Sequence, residues 1–140
     1  MKIKRALLSV WDKREIIILG KFLANQKIEI LSTGGTQALL EDAGLEIRSI
    51  CSLTRSEEVM NGRVKTLHPK VFGGILADRN NPNHLIDLKN INGLEIDLIV
   101  VNFYPFYNEA VMKNLDFHSA IDFIDIGGPS MLRAAAKNYH

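Results

Sequence analysis

The sequence predicts an α/β protein with a mostly parallel β-sheet and helices on both of its faces. Short apolar runs alternate with stretches of helical periodicity as far as residue 50, which is typical of strand-helix-strand units. A later run at residues 96–101 is rich in β-branched side chains, as buried strands are. With 140 residues, 46% of them apolar, the chain is expected to form one domain over residues 1–140.

The first three predicted elements are a strand, a helix and a second strand. Residues 6–10 form the first predicted strand, which is apolar on both faces. Asp12 is the expected N-cap of a helix whose apolar positions recur at helical spacing to about Asn25. Residues 28–31 form the second predicted strand, so the chain returns to the sheet after one helix.

The second strand runs directly into a Ser-Thr-Gly-Gly-Thr turn at residues 32–36, and a second predicted helix follows. Gly44 is expected to end that helix, and a weaker third strand follows at residues 45–50. Periodicity is then lost over residues 51–70. Residues 71–77 predict a short turn and strand.

The second half of the chain continues the pattern. Asn81 opens a further predicted helix, and residues 96–101 form the strongest strand candidate of the sequence. Two weaker helical pieces are predicted at residues 108–113 and 117–123. The last predicted element is a helix at residues 130–138 with a proline in its first turn.

Charge and cysteine content exclude several classes of function. The net charge of +1 creates no global field that would attract nucleic acid or a membrane, so an anion site must be local. Cys51 is the only cysteine, which excludes an internal disulfide and suits a cytoplasmic protein. The four histidines lack the spacing of metal ligands, so no metal site is expected. The sequence predicts neither a signal peptide nor a membrane span.

Polar residues follow the predicted strands where each one ends. In a parallel sheet, ligands bind outside the carboxyl ends of the strands. The residues placed there are Ser9, Trp11, Asp12, Lys13, Thr33, Gly34, Gly35, Thr36, Asn102 and Tyr104. The two glycines let backbone N–H groups turn toward an anion at the positive end of the next helix. An ordinary strand-to-helix turn capped by Thr36 is the alternative interpretation.

The stretch from Gly62 to Lys70 fits neither a helical nor a strand period. It carries Arg63, Lys65, a threonine hydroxyl and a histidine imidazole, which together suit phosphate or carbonyl oxygens of a ligand. A solvated surface turn is the alternative interpretation.

An acidic and a basic residue near the end of the chain are further candidates for the site. Asp125 precedes a Gly-Gly-Pro helix start, and Lys137 lies twelve positions later. That spacing corresponds to about 18 Å of helical rise, so both side chains meet one ligand only if the helix bends or a partner subunit supplies one of them. Their plain roles are favourable charges near the two ends of a helix.

Several motifs occur in a fixed order along the chain: Ser9-Val10-x-Asp12-Lys13, Ser32-Thr33-Gly34-Gly35-Thr36, Gly62-Arg63-Val64-Lys65-Thr66-Leu67-His68-Pro69, Gly73-Gly74-Ile75-Leu76-Ala77, Asn102-x-Tyr104-Pro105-Phe106, and the long block from Asp125 to Asn138. Together they resemble the amino-terminal domain of the bifunctional purine-biosynthesis enzyme family, AICAR transformylase/IMP cyclohydrolase. The resemblance covers the whole chain, and its last block is highly specific.

The resemblance implies a methylglyoxal-synthase-like fold and IMP cyclohydrolase activity, in which the purine ring of formyl-AICAR closes with loss of water. It implies a purine ribonucleotide monophosphate as ligand, no cofactor or metal for this step, a cytoplasmic location and a homodimer. It also implies that the transformylase, which uses 10-formyltetrahydrofolate, lies on a carboxy-terminal domain absent from this chain.

The resemblance further implies roles for individual residues. Phosphate contacts are expected from Lys13, Thr33, Gly34, Gly35, Thr36 and the nearby Arg63. Base and sugar contacts are expected from Lys65, Thr66, Val101, Asn102, Asp125 and Ile126. The expected catalytic set is Lys65, Tyr104, Asp125 and Lys137. Substrate binding is also expected of Ser9, Trp11, Asp12, Val64 and Gly127. Trp11 replaces a hydroxyl residue of the family pattern, which removes one phosphate hydrogen bond unless Ser9 or a water supplies it.

Two other functions stay open. A methylglyoxal synthase acting on dihydroxyacetone phosphate would share the phosphate loop, but it would not predict the Arg63 to Thr66 block or the block that begins at Asp125. A non-catalytic nucleotide-sensing module would bind IMP without converting formyl-AICAR.

Overall fold

The computed structural model describes residues 2–139, and within them four strands form one parallel sheet. The strands are β1 (Arg5–Ser9), β2 (Glu29–Ser32), β3 (Ile47–Ser49) and β4 (Leu98–Val101). Their order across the sheet is β3-β2-β1-β4. In the central register, Leu7 lies opposite Leu31 on one side and Ile99 on the other. The observed sheet confirms the predicted parallel arrangement.

The helices connect and flank these strands. They are α1 (Ile16–Asn25), α2 (Gly34–Asp42), α3 (Ile50–Thr54), α4 (Pro69–Leu76), α5 (Pro82–Asn90), α6 (Phe117–Ile121) and α7 (Gly127–Lys137). A single π-helical turn covers Tyr107–Val111, close to the first of the two weak helical pieces that the sequence predicts.

Two hydrophobic cores lie on opposite faces of the sheet, because successive side chains of β1 point to opposite sides. Leu7 packs into the core built with α3, α4 and α7, whereas Ala6 and Leu8 pack into the core built with α1 and α2. All three side chains are fully buried. Helices therefore cover both faces, as predicted.

The strand order places a topological switch point between β1 and β4. The chain moves from β1 outward to β2 and β3, and it later crosses to the other side of β1 to form β4. The loops that leave β1 and β4 consequently diverge at the carboxyl edge of the sheet, where such folds form a ligand crevice.

One predicted strand is a helix. Residues 71–77 belong largely to α4, with Val71, Gly74 and Ile75 buried at helical spacing. His68 Nδ1 accepts the Lys70 N–H at 3.1 Å and caps the helix. A Cβ added to Gly74 would lie 2.2 Å from the Leu94 carbonyl oxygen, so glycine lets the helix approach that segment closely. The sequence prediction was wrong because a short apolar run fits a strand and a buried helix equally well.

The predicted N-cap of α1 is also wrong. The helix begins at Ile16, and its N-cap residue is Glu15, which has a left-handed backbone with φ of 60°. Asp12 instead accepts the Arg14 N–H at 3.0 Å and pairs with the Arg14 guanidinium. The hydrogen bond from the Arg14 side chain lowers the pKa of the Asp12 carboxyl group. Asp12 therefore forms an Asx-type turn with Arg14 and does not cap the helix.

Candidate functional site

A cleft of about 950 Å³ opens at the carboxyl edge of the sheet, at the switch point. Most of the predicted site residues line it: Ser9, Trp11, Lys13, Thr33, Gly34, Gly35, Thr36, Arg63, Lys65, Thr66, Asn102, Tyr104, Asp125, Ile126 and Gly127. The fold therefore brings together residues that lie far apart in the sequence.

The other predicted site residues lie outside the lining of this cleft. Asp12 is turned toward Arg14, and Val64 pairs with Val59 in an isolated antiparallel bridge. Val101 is the last residue of β4. Lys137 is exposed in the last turn of α7, at the end of the helix away from Asp125.

The start of α2 forms an anion cradle, which we define as Thr33, Gly34, Gly35, Lys13 and Lys65. Thr33 is the N-cap residue, and Gly34 adopts a left-handed backbone with φ of 55°. A Cβ added to Gly34 would lie 3.5 Å from Lys65 Nζ, and one added to Gly35 would lie 3.5 Å from Lys13 Cε. Two lysine side chains thus lie beside the glycines at the positive end of a helix, an arrangement that favours a bound anion.

The Thr36 hydroxyl is used within the scaffold. Its Oγ1 accepts the Val10 N–H at 3.1 Å and donates to the Val10 carbonyl oxygen at 2.9 Å, and the side chain is buried. Ser32 Oγ similarly donates to the Leu8 carbonyl oxygen at 2.7 Å. These bonds fasten the end of β1 to the end of β2 and the start of α2, which fixes the cradle on the sheet.

Asn102 clamps the loop that follows β1. Its Oδ1 accepts the Trp11 N–H at 2.6 Å and the Asp12 N–H at 3.0 Å, and its Nδ2 donates to the Asp12 carbonyl oxygen at 2.8 Å. The amide therefore bridges the two strands at the switch point. Lys13 follows this clamped loop, and its Nζ donates to the Val10 and Trp11 carbonyl oxygens, both at 3.2 Å.

A second polar group in the cleft surrounds the start of α7. Asp125 Oδ1 accepts the Gly128 N–H at 3.0 Å, and a Cβ on Gly128 would lie 2.7 Å from Asp125 Oδ2. Glycine therefore lets this carboxylate sit against the helix start, where the helix dipole favours its charge. Tyr104 is 45% exposed, and its ring packs edge-on against Phe123 at 6.3 Å between ring centroids.

Residues 15–130 match the family model described as MGS-like domain. The chain belongs to the MGS-like domain family. The solved crystal structure of ForH is 37% identical and has a TM-score of 0.82, and the match covers 99% of this chain and 70% of that chain. The predicted fold is confirmed.

Proteins named bifunctional purine biosynthesis protein PurH are similar to this MGS-like domain along nearly its whole length. The protein of Clostridium acetobutylicum is 50% identical over 98% of this chain, and that of Fusobacterium nucleatum is 51% identical over 97%. The protein of Staphylococcus aureus strain Newman is 51% identical over 97%. This chain covers 27%, 27% and 28% of these relatives' lengths, and it corresponds to their N-terminal domain.

Sequence reasoning missed two carboxylates of this MGS-like domain that pair with its predicted cations. Glu58 forms an ion pair with Lys65, and Asp122, which lines the cleft, pairs with Arg63. Neither acidic residue lies in one of the motifs that carried the resemblance. Both pairs join segments without a shared period, so no pattern in the sequence indicates them.

The described part of the chain offers no obvious metal centre. Residues 2–139 contain no group of three or more His, Cys, Asp or Glu side chains placed to hold a metal ion. None of the helices in this range is long and apolar enough to cross a lipid bilayer.

Proposed function

We propose that this chain is an IMP cyclohydrolase domain that binds formyl-AICAR by its phosphate and closes the purine ring. The observation that carries the proposal is the anion cradle, in which Lys13 and Lys65 approach the glycine turn of α2. The same cleft contains Asp125 and Tyr104, which are suited to proton transfer. The names of the PurH relatives support a role in purine biosynthesis.

The phosphate of the nucleotide is anchored first. Backbone N–H groups at the start of α2, the Thr33 hydroxyl and the Lys13 ammonium supply its hydrogen bonds, and Arg63 adds positive charge nearby. Fixing the phosphate and the base in one conformer brings the carboxamide nitrogen close to the formyl carbon. Because the reaction is intramolecular, this orientation supplies a large part of the rate enhancement.

Ring closure then needs a proton acceptor and a stabilised oxygen. The carboxamide nitrogen attacks the formyl carbon, a C–N bond forms, and the formyl oxygen becomes the hydroxyl group of a carbinolamine. Asp125 accepts the proton that the nitrogen loses, and the Tyr104 hydroxyl stabilises the charge that develops on the oxygen and supplies the proton of the new hydroxyl group. Loss of one water from the carbinolamine then gives the C=N bond of IMP.

Lys137 acts in this scheme only from a second copy of the chain. It is exposed at the far end of α7 and lies outside the lining of the cleft of its own protomer. We therefore propose a homodimer, located in the cytoplasm, in which Lys137 reaches the partner's site. The transformylase activity expected of full-length relatives belongs to a domain outside these residues.

Replacing Asp125 tests the chemistry. Asp125→Asn keeps an oxygen that accepts the Gly128 N–H, so the fold should survive, but the general base is lost. We expect kcat for IMP formation to fall about 10²- to 10⁴-fold. IMP binding, followed by the fluorescence of Trp11, the sole tryptophan, should change little. Asp42→Asn, at the exposed end of α2, is the matched control.

Two results would contradict the proposal. One is wild-type kcat in Asp125→Asn, and the other is a wild-type chain that binds no IMP. If the chain instead converted dihydroxyacetone phosphate to methylglyoxal, the lyase alternative would be favoured.

Mixing two inactive variants tests the role of Lys137. If this residue acts across a two-fold interface, hybrid dimers of Asp125→Asn and Lys137→Ala contain one intact site. Random mixing then restores about a quarter of the wild-type activity. If Lys137 acts within its own chain, or not at all, mixing adds nothing beyond the sum of the two variants.

A further inference from the structure

Residues 58–65 form a short hairpin beside the anion cradle, which we call the strap. Val59 and Val64 exchange backbone hydrogen bonds of 3.2 and 3.3 Å. Met60, Asn61 and Gly62 all have positive φ angles, of 55°, 55° and 82°, and they turn the chain between the two valines. The bridge brings the two ends of the strap, Glu58 and Lys65, next to each other.

The carboxylate of Glu58 contacts the cradle directly. Its Oε1 accepts a hydrogen bond from Thr33 Oγ1 at 3.2 Å, and its Oε2 pairs with Lys65 Nζ at 2.9 Å. Thr33 is the N-cap residue of α2, and Lys65 Nζ lies against Gly34. An internal anion thus uses two of the donors that a ligand's phosphate would use.

We propose that Glu58 is an internal ligand of the cradle and that a phosphate monoester binds by replacing it. This inference rests on the proposed function, because it concerns the same anion site. Lys13 hydrogen-bonds backbone carbonyl groups, and no hydrogen bond or ion pair joins it to Glu58 among the residues that the structure describes. A phosphate carries more charge and one more acceptor oxygen than a carboxylate, so it engages Lys13 and the N–H groups of α2 as well.

Because the phosphate must first displace the Glu58 carboxylate from the cradle, the wild-type protein has a lower apparent affinity for the nucleotide. The binding-competent state is the one in which Glu58 has left Thr33 and Lys65, and the apparent dissociation constant rises as the population of that state falls. Exchange of one anion for another also keeps the Lys65 ammonium paired at each stage, which avoids an isolated charge in the half-buried cleft.

Glu58→Gln tests this inference by weakening the internal anion while keeping the shape of the side chain. We expect IMP and inorganic phosphate to bind about three- to tenfold more tightly to this variant than to the wild type, at constant ionic strength. The matched control is Glu57→Gln, which removes the same charge from the adjacent exposed residue, for which the described structure contains no ion pair. Its dissociation constants should stay within about twofold of the wild type.

The outcomes separate this inference from the proposed function. If the wild type binds IMP and Glu58→Gln binds it equally or more weakly, Glu58 only orients Lys65 and the inference is wrong. If neither protein binds IMP or phosphate, the proposed anion site itself is wrong. Should Glu58→Gln fail to fold, Glu58→Ala replaces it in the same titration, with the same expectation of tighter binding.

A structure with bound IMP gives an independent test. The Glu58 carboxylate should then lie beyond hydrogen-bond distance of the Thr33 hydroxyl, with a phosphate oxygen in its place. A complex in which Glu58 still contacts Thr33 beside the bound phosphate would overturn the inference.

Discussion

The amino and carboxyl edges of the sheet both carry ion pairs, but the pairs connect different parts of the molecule. At the amino edge, Glu29 binds Arg5 at 2.5 Å and Arg48 at 3.1 Å, and all three residues belong to neighbouring strands. At the carboxyl edge, Lys65 and Arg63 pair with carboxylates supplied by loops or by the residue that follows α6. Strand register fixes the first set, whereas we propose that the Lys65 pair of the second set exchanges its carboxylate for a ligand.

Asp97 is the buried carboxylate of the amino edge. Its side chain is 3% exposed, and its Oδ2 accepts the N–H groups of Lys4 at 2.8 Å and Arg5 at 3.0 Å. Its Oδ1 lies 3.6 Å from Arg79 Nη2, whose guanidinium also donates to the Ile96 carbonyl oxygen. The comparison therefore predicts that charge removal at the amino edge affects stability and that charge removal at the carboxyl edge affects binding.

Among the variants that test this comparison of the two edges, Asp97→Ala should have the largest effect. The change leaves two N–H groups without their acceptor and Arg79 without its nearest carboxylate, so we expect the free energy of unfolding to fall by about 2–4 kcal/mol. Urea denaturation followed by circular dichroism measures this. IMP affinity should be unchanged for the protein that remains folded. Asp87→Ala, on the exposed side of α5, is the control and should change stability by less than about 0.5 kcal/mol.

Lys13→Met tests the carboxyl edge, where we expect a loss of binding with little change in stability. Loss of one charge-assisted contact to phosphate should raise the dissociation constant for IMP about 10- to 100-fold. The free energy of unfolding should change by less than about 1 kcal/mol, because the bond from Lys13 to the Trp11 carbonyl group is exposed and the bond to the Val10 carbonyl group is only partly buried. Lys21→Met on α1 is the matched control. If Lys13→Met destabilised the fold as much as Asp97→Ala, the distinction between the two edges would fail.

Asn102→Ala tests the bridge between scaffold and site. Without the clamp on Trp11 and Asp12, the loop that carries Lys13 loses its fixed position. We expect IMP binding to weaken by about five- to tenfold, which corresponds to one lost neutral hydrogen bond or slightly more. The emission of Trp11, 40% exposed in the native protein, should shift toward that of solvated tryptophan. Unchanged Trp11 emission and unchanged affinity would show that Asn102 does not position this loop.

The sequence predicted the scaffold well, because its strands are short apolar runs that alternate with amphipathic helices. Parallel pairing then places polar strand ends at one edge, which explains why Lys13, Gly34 and Asn102 line a common cleft. The sequence also correctly indicated a helix between Asp125 and Lys137, and Lys137 is its last residue. These features depend on the periodicity of apolar residues and on the fixed rise per residue of a helix.

Features that depend on long-range contacts escaped prediction. The pairing of Glu58 with Lys65 depends on a hairpin made by residues with positive φ, two of which are not glycine. Helix α4 packs Gly74 closely against the Leu94 carbonyl oxygen, a contact that no local period indicates. The two hydrogen bonds between the Thr36 hydroxyl and Val10 also join segments that are far apart in the sequence, and no local pattern indicates them.

Glu29 gives the smallest expected effect, and it depends on pH. Burial alone would raise the pKa of the Glu29 carboxyl group, but hydrogen bonds from Arg48 and Arg5 outweigh burial and lower it below the ordinary value of 4.5. A pKa that is lower in the folded state stabilises the protein above the unfolded pKa, and this stabilisation is lost as pH falls through the folded value.

We therefore expect Glu29→Gln to be less stable than the wild type by under about 1 kcal/mol at pH 7, since the pair is partly solvated. The difference should disappear as pH falls below about 4.5, because protonated glutamate then resembles glutamine. Denaturation curves of both proteins at matched pH values measure this, with Glu46→Gln as the exposed control. A difference that persisted well below that pH would mean that shape, rather than charge, makes Glu29 stabilising. The ion pairs of the amino edge would then contribute less to stability than the comparison of the two edges predicts.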